Sequence, residues 1–241
     1  GDVYKRQAVP TTGTVTTSTN PETGQGQASM CFEEKAGLVQ VLVDMSSDDK
    51  AQQARIAAPQ ALRQRPGHSI EAMARALNLE PDQILGAAEG STIVSVGIEF
   101  PVVEVGDLHA LRQSSANVEQ FKRLSLNPVI TGANADADDA FLVYVYCRNG
   151  SGEVSARMFD PLHGIPEDPA TGSAAGALAG LLAQRDNIDG HMRYQITQGV
   201  EMGRPSRIVV DVERISGQIS TTKISGAVSY THLTLPTSYP V

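Results

Sequence analysis

Residues 168–173 (DPATGS) combine residue types that together can bind a small ionic molecule. Asp168 offers a carboxylate, and Gly172 and Ser173 stand where a long apolar stretch begins. The first N–H groups of a helix lack acceptors within the helix and lie at the positive end of its dipole, so they bind carboxylates or phosphates. A carboxylate side chain at the same place would bind an amine or a hydroxyl of that ligand.

A purely structural interpretation of the same residues stays open. Asp168 stands where a helix N-cap is expected, and Pro169 where proline is favoured as the first helical residue. In that case Gly172 would only permit close packing. Residues 169–184 contain no charged side chain, and a helix that is apolar on all sides is buried. We therefore expect a central helix, surrounded by strands, whose N-terminus opens on a cleft.

The turn before that helix has a second copy near the beginning of the chain. Residues 10–15 (PTTGTV) and residues 169–174 (PATGSA) share a proline, a threonine, a glycine and a hydroxyl residue in the same order. Similar turns near the start of each half indicate a duplicated architecture, in which two similar lobes face one cleft.

Strands and helices alternate between these turns. Alternating apolar positions predict strands at residues 29–32, 38–43, 140–147, 154–159 and 207–212. Residues 92–105 are expected to form two strands joined near Pro101. Residues 69–77 have helical spacing, with Ser69 as the N-cap, and residues 48–66 favour a surface helix followed by a linker. Residues 134–139 form a polar, acidic stretch typical of a turn.

The overall composition excludes several classes of function. A chain of 241 residues, 41% of them hydrophobic, can form one large domain or two small ones. The net charge of −8 disfavours nucleic acid as a partner, because an acidic surface repels phosphate backbones. The apolar stretch at 169–184 is too short and too rich in glycine and alanine for a membrane span, which needs about 20 strongly apolar residues. With no secretory signal in view, we expect a cytoplasmic location.

The two cysteines do not form a disulfide framework. Cys147 lies in the strand predicted at 140–147, both faces of which are apolar or aromatic. We expect that strand to be buried on both sides and the thiol to be inert. Cys31 is expected to pack in the core as well.

Three further polar residues are candidates for the site. His163 is interpreted as a surface histidine of a loop, and Glu167 as a structural carboxylate, since neighbouring residues at a helix start point in different directions. Arg204 either braces its loop or pairs with an acid across the cleft, and the sequence does not decide between the two.

Two longer motifs resemble the signature of the PhzF-like family of phenazine-biosynthesis isomerases. The first consists of residues 157–161 (RMFDP) followed by residues 164–174 (GIPEDPATGSA). The second is residues 198–206 (QGVEMGRPS), at the spacing that the family shows. Weaker similarity extends from about residue 10 to residue 228.

This resemblance implies an α+β fold of the diaminopimelate-epimerase-like type, with two similar lobes that each wrap a sheet around a central helix. The first lobe is expected at residues 8–92. The second lobe, which carries the turn at residues 167–173 (EDPATGS), is expected at residues 93–228. Carried over by position, Asp168, Gly172 and Ser173 would bind the substrate.

The resemblance also implies the chemistry. Enzymes of the family need no metal and no organic cofactor, and they move a proton within a small carboxylated substrate, with a glutamate as acid and base. The expected partner is therefore a small carboxylated molecule, with no nucleic acid and no membrane, and a homodimer stays open.

The chain departs from the family pattern at its beginning. Ala8 and Val9 stand where the family has a Gly-His pair, and the catalytic glutamate of the family is expected upstream of the first residue. General acid–base catalysis supplies about 10²–10⁴-fold of rate, so this chain is expected to turn over little substrate. The alternative function is a non-catalytic small-molecule-binding or interaction protein that keeps the same fold.

Residues 1–7 and 229–241 are expected to be non-native ends that contribute to neither core. We predict that deleting both segments leaves the thermal unfolding midpoint unchanged within about 1 °C. In a chain of this size each kcal/mol moves the midpoint by roughly 2–4 °C. Calorimetry of the shortened chain checks this, and a fall of several degrees would show that the ends are packed, native elements.

Overall fold

A computed structural model describes residues 16–19, 26–34, 37–45, 51–86, 90–126 and 141–227. Within these ranges the strands are β1 (Thr16–Thr19), β2 (Gly26–Glu34), β3 (Gly37–Met45), β4 (Ala51–Ala57), β5 (Arg63–Pro66), β6 (Ile84–Leu85), β7 (Thr92–Ser95), β8 (Glu99–Val105), β9 (Val143–Arg148), β10 (Glu153–Asp160), β11 (Ile165–Asp168), β12 (Gly190–Gln198), β13 (Ser206–Ile215) and β14 (Gln218–Ala227). The helices are α1 (Ile70–Leu77), α2 (Leu108–Gln113), α3 (Val118–Ser125) and α4 (Gly172–Asp186), and 3₁₀ turns occupy Pro81–Gln83 and Pro161–His163.

The described strands form one mixed sheet. Neighbours follow the order β1-β2-β3-β4-β14-β13-β12-β10-β9-β8-β7-β5, while β11 pairs with β10 and β6 with β8. The pairs β8–β9 and β10–β12 are parallel, and the other pairs are antiparallel. Sheet-dominated and with few helices, the described chain is an α+β protein.

Strand β10 organises the region of the DPATGS turn. Strand β9 lies along one edge of β10. On the other edge, the first half of β10 pairs in parallel with β12, and Ala156 lies opposite Gln198. The second half pairs antiparallel with β11, and Met158 lies opposite Asp168. The ends of β11 and β12 therefore meet beside β10.

Helix α4 is buried at the centre of the described structure. Every residue from 174 to 183 is buried, and these residues share a hydrophobic cluster with Tyr144, Ile196 and Val210 of three different strands. Alanine and glycine dominate the helix, so its backbone approaches the sheet closely. The prediction of a buried central helix is confirmed, and no helix among the described residues has the length and apolar character of a membrane span.

A second hydrophobic cluster lies on the opposite face of β9 and β10, beneath α1 and α3. It includes Met73 and Phe121 from the helices and Val143 and Val145 from β9. Tyr144, between these two valines, belongs to the cluster around α4. Strand β9 is thus buried on both sides, as its sequence predicts.

Other local predictions are confirmed as well. Strands β2 and β3 form an antiparallel hairpin. Helix α1 has Ser69 as its N-cap, and the Ser69 hydroxyl accepts a hydrogen bond from the Ala72 amide at 3.3 Å. The two strands predicted within residues 92–105 are β7 and β8, but they join at residues 96–98, and Pro101 lies inside β8 opposite Ile93. Proline is tolerated there because the pairing of β8 with β9 begins only at the next residue, Val102.

The surface helix and linker predicted at residues 48–66 are wrong where the structure describes them. Strands β4 and β5 occupy this region. Strand β4 lies between β3 and β14, and Arg55 of β4 forms an ion pair with Asp44 of β3 at 2.7 Å. Because β14 lies far along the chain, the pattern of the local sequence does not report this pairing.

Of the predictions that both cysteines are buried, the one for Cys147 is confirmed and the one for Cys31 is wrong. Cys147 is buried in β9, as predicted, and burial raises the pKa of its thiol to about 11. Cys31 is exposed, contrary to the expectation of core packing. It lies in β2, and neither hydrophobic cluster contains any of the β2 side chains that the structure describes.

Some predictions lie outside the described residues. These are the first copy of the turn at 10–15, the acidic stretch at 134–139 and the ends at 1–7 and 229–241. The division into lobes at residues 8–92 and 93–228 stays a prediction. Strand β7 crosses that boundary and pairs with both β5 and β8.

We predict that Gly176→Val lowers the free energy of unfolding by about 1–3 kcal/mol, because it overpacks the contact between α4 and β14. A Cβ at Gly176 would lie only 2.9 Å from Cδ1 of Ile224. Denaturant unfolding measures the effect. Gly226→Val in β14 is the control, since nothing lies within 4 Å of a Cβ there. Equal stability of the two variants would contradict the close approach.

Candidate functional site

Asp168 and Glu167 point to opposite faces of the sheet. Asp168 lies opposite Met158 and Glu167 opposite Phe159, and directly opposite residues of an antiparallel pair share a face. Met158 packs in the cluster around α4, whereas Phe159 packs in the other cluster. Asp168 therefore lies on the same face as α4, and Glu167 lies on the far face.

Helix α4 begins later than the sequence predicts. Its first residue is Gly172 instead of Pro169, and its N-cap is Thr171 instead of Asp168. The prediction is wrong because the backbone of Asp168 is extended and paired with β10. The carboxylate still contacts the helix start, since the Thr171 hydroxyl donates to Oδ2 of Asp168 at 2.6 Å.

The three predicted site residues come together at the N-terminus of α4. The carbonyl of Thr171 accepts the first hydrogen bond of the helix, so the amides of Gly172 and Ser173 have no acceptor within it. Asp168, Gly172 and Ser173 are all half-buried. The side-chain position of Gly172 faces the protein, because a Cβ there would lie 3.6 Å from Cγ2 of Ile224 in β14. Gly172 can therefore offer a ligand only its backbone amide. That these residues bind a substrate stays a prediction.

Gln198 is the main residue of this site that sequence reasoning missed. Its side chain is fully buried, and its Nε2 donates to the Asp168 carbonyl at 2.7 Å and to the Thr171 hydroxyl at 3.0 Å. Its Oε1 accepts from the Thr171 amide at 3.2 Å and from the Tyr144 hydroxyl at 2.9 Å. The signal was present: Gln198 follows Tyr194 and Ile196 at the buried positions of β12, and a polar residue in such a series requires partners.

The residue after Gln198 also fixes the turn. Gly199 has a φ of 80°, and a Cβ there would lie 2.5 Å from the Arg204 carbonyl oxygen and 2.9 Å from that of Pro169. Only glycine fits this position without displacing backbone. The Arg204 amide donates to the Gly199 carbonyl at 2.9 Å, so Arg204 braces its loop through the main chain.

Arg157 braces the turn from the other face of the sheet. Its Nε and one terminal nitrogen donate to both carboxylate oxygens of Glu167, at 2.9 and 2.7 Å. Its other terminal nitrogen donates to three backbone carbonyls at the end of α2, those of Leu111, Arg112 and Ser114. Glu167 is therefore structural, as the sequence predicts. Because Glu167 precedes Asp168, the buried ion pair also fixes the backbone of the site.

His163 has a partner that the sequence did not reveal. Its Nδ1 lies 2.7 Å from Oδ1 of Asp160, at the end of β10. Burial is the main cause that raises the pKa of the Asp160 carboxyl, while the hydrogen bond to His163 opposes this shift and the charge of Asp168 adds to it. The His163 side chain is half-buried, and the turn that carries it lies close to Asp168.

A cavity of about 440 Å³ lies apart from these residues, next to α1 and α3. It is lined by Gly67, His68, Ser69, Ala72, Arg75, Gln120, Arg123 and Leu124. None of them is a predicted site residue. His68 is buried, its ring meets the ring of Phe141 edge-on at 5.5 Å, and burial lowers its pKa. Across the ranges that the structure covers, no group of three or more His, Cys, Asp or Glu side chains is placed to hold a metal ion.

The mixed sheet around a buried apolar helix, with an EDPATGS turn at the helix N-terminus, defines an α+β protein of the diaminopimelate-epimerase-like fold. The chain belongs to the phenazine biosynthesis-like protein family, whose sequence model matches residues 10–232.

Two solved structures share this fold. The phenazine biosynthesis protein of the PhzF family from Bacillus anthracis superposes with a TM-score of 0.64 at 20% identity, over 83% of this chain and 67% of that one. A predicted epimerase from Pseudomonas aeruginosa superposes with a TM-score of 0.60 at 20% identity, over 88% of this chain and 69% of that one.

Curated relatives are named isomerases. An uncharacterized isomerase of Mesorhizobium japonicum is 34% identical over 161 residues, which are 65% of this chain and 51% of that protein. The trans-2,3-dihydro-3-hydroxyanthranilate isomerase of Pseudomonas aeruginosa is 45% identical over 83 residues, which are 34% of this chain and 30% of that protein. The matches thus span about half the length of the first relative and less of the second.

We predict that Arg157→Ala lowers the free energy of unfolding by about 3–5 kcal/mol, because it leaves Glu167 buried without its cation. Replacing both residues by methionine should recover part of this loss, because position 167 then carries no buried charge, and Glu201, 3.9 Å from Nε of Arg157, keeps its ion pair with Arg112. Arg193→Ala is the control: Arg193 is 63% exposed and its ion pair with Asp211 spans 3.7 Å, so the cost should stay below about 1 kcal/mol. Denaturant unfolding measures both free energies. Similar losses of stability for Arg157→Ala and Arg193→Ala would contradict a buried ion pair between Arg157 and Glu167.

Proposed function

We propose that this chain carries the substrate-binding half of a cofactor-independent isomerase or epimerase, which moves a proton within a small carboxylated metabolite. The observation that carries the proposal is that Asp168 lies at the N-terminus of α4, beside the amides of Gly172 and Ser173, which have no acceptor within the helix. Membership of the phenazine biosynthesis-like protein family and the relatives named isomerases support it.

The two kinds of group bind different parts of one substrate. The amides of Gly172 and Ser173, at the positive end of the α4 dipole, donate to the substrate carboxylate. Asp168 accepts from an amine or a hydroxyl on the same molecule. Dihydro-hydroxyanthranilates, the compounds in the names of several relatives, carry all three groups. We therefore propose a small carboxylate with an amine or a hydroxyl as the substrate class.

The bound substrate gains orientation for the proton transfer. Asp168 and the helix amides fix the molecule at two points, so the carbon that loses or gains the proton is held in one place. The acid–base group that carries the proton stays unassigned in this chain. A non-catalytic binding protein with the same site is the second candidate, and it differs from the first in turnover alone.

We predict that Asp168→Ala weakens binding of 3-hydroxyanthranilate by about 10- to 100-fold and changes binding of benzoate little. The first compound has an amine and a hydroxyl besides its carboxylate, whereas the second has the carboxylate alone. A hydrogen bond to a charged group in a sheltered site contributes about 1.5–3 kcal/mol. Calorimetric titration of the purified chain measures both affinities, with Asp82→Ala, an exposed acid of a distant 3₁₀ turn, as the control.

Two outcomes would contradict this function. If the wild-type chain binds neither compound, the substrate-binding assignment fails. If Asp168→Ala weakens both compounds equally, Asp168 is a structural residue and not a ligand. Deuterium uptake from D₂O into a bound dihydro-hydroxyanthranilate would then exclude the non-catalytic candidate, because a binding protein does not exchange a proton of its ligand.

A further inference from the structure

A directed chain of hydrogen bonds ends on the Asp168 carboxylate. It starts at the Tyr144 hydroxyl, passes through the Gln198 amide and the Thr171 hydroxyl, and reaches Oδ2 of Asp168. All of its links measure 3.0 Å or less, from 2.9 Å at Tyr144 to 2.6 Å at Asp168. The hydrogen-bonding role of each group, as donor or acceptor, therefore constrains the direction in which the next group donates.

The orientation of the Gln198 amide is fixed by two partners that have only one role each. The Asp168 backbone carbonyl can only accept, and it lies 2.7 Å from Nε2. The Thr171 backbone amide can only donate, and it lies 3.2 Å from Oε1. An amide turned over would place donor against donor and acceptor against acceptor. Both donors and both acceptor positions of this amide are in use.

The fixed amide decides the direction of the Thr171 hydroxyl. Because Nε2 of Gln198 donates to Thr171 Oγ1, the hydroxyl accepts there and its single proton is left for Asp168. Tyr144 cannot reverse this order, since it is fully buried and burial, reinforced by the charge of Asp168, raises the pKa of its hydroxyl. The chain of hydrogen bonds is thus polarised towards Asp168.

Asp168 consequently has one occupied and one open oxygen. Oδ2 accepts from Thr171, and no described residue donates to Oδ1. Oδ1 can then only accept from a ligand, and the ligand group that faces it must be a donor. A ligand carboxylate is turned away from Asp168 and towards the helix amides.

We propose that Gln198 is a positioning and specificity-determining residue, which acts through Thr171 to orient Asp168 as an acceptor for a substrate amine or hydroxyl. This inference rests on the proposed function for the identity of the ligand. The anchoring of residues 168–171 by Gln198 does not depend on the proposed function, and it can be measured without any ligand.

The first test compares Thr171→Val with Thr171→Ser in the 241-residue chain, by calorimetric titration with 3-hydroxyanthranilate and benzoate. Valine has the shape of threonine but no hydroxyl, so the preference for 3-hydroxyanthranilate over benzoate should fall about tenfold or more. Serine keeps the hydroxyl and should retain the preference. Thr171 makes no side-chain cap to α4, so the substitution removes no cap. Equal weakening of both probes in Thr171→Val would overturn the inference.

The second test needs no ligand. Gln198→Met keeps the volume of the side chain and removes its amide, so hydrogen exchange at the Thr171 amide should accelerate at least tenfold in NMR measurements. The Leu178 amide in the middle of α4 is the internal reference and should keep its protection. Unchanged exchange at Thr171 would overturn the anchoring role, even if the wild-type chain binds neither probe. If Gln198→Met does not fold, the comparison of Thr171→Val with Thr171→Ser still tests the inference.

Discussion

The buried amide of Gln198 is the interaction on which the candidate site depends. It joins the end of β12, the end of β11, the start of α4 and, through Tyr144, the beginning of β9. Leaving a buried amide without partners costs about 1–3 kcal/mol for each group. The four hydrogen bonds therefore hold the turn at residues 168–171 in one geometry, and the carboxylate and the helix amides keep fixed relative positions.

The sheet makes this junction possible. Strand β10 pairs with β12 along its first half and with β11 along its second half, so two strands that run in opposite directions end at the same place. Gln198 and Asp168 meet there although 30 positions separate them. On the far face, Arg157 holds Glu167 and the end of α2, and the turn is fixed from both sides of the sheet.

The energetics of the two faces differ. Helix α4 is stabilised by apolar burial, and its small residues bring its backbone close to β14. Arg157 and Glu167 instead form a buried ion pair, which adds geometric constraint more than net stability. The first amides of α4 have no acceptor within the helix and lie next to an oriented carboxylate, and the proposed binding of a small zwitterionic or hydroxylated acid rests on this arrangement.

Local patterns in the sequence were enough to predict the buried helix, the strand β9 with two apolar faces and the grouping of Asp168, Gly172 and Ser173, because each depends on residues that are neighbours along the chain. The α+β class followed from the resemblance of two longer motifs to a known family. The tertiary structure alone decided that residues 51–57 form a strand, that α4 begins at Gly172, and that Gln198 and Arg157 brace the turn. These features depend on partners far apart in the sequence. Pairing between distant strands determines which buried polar groups meet, and the pattern of a single segment carries no record of its partner.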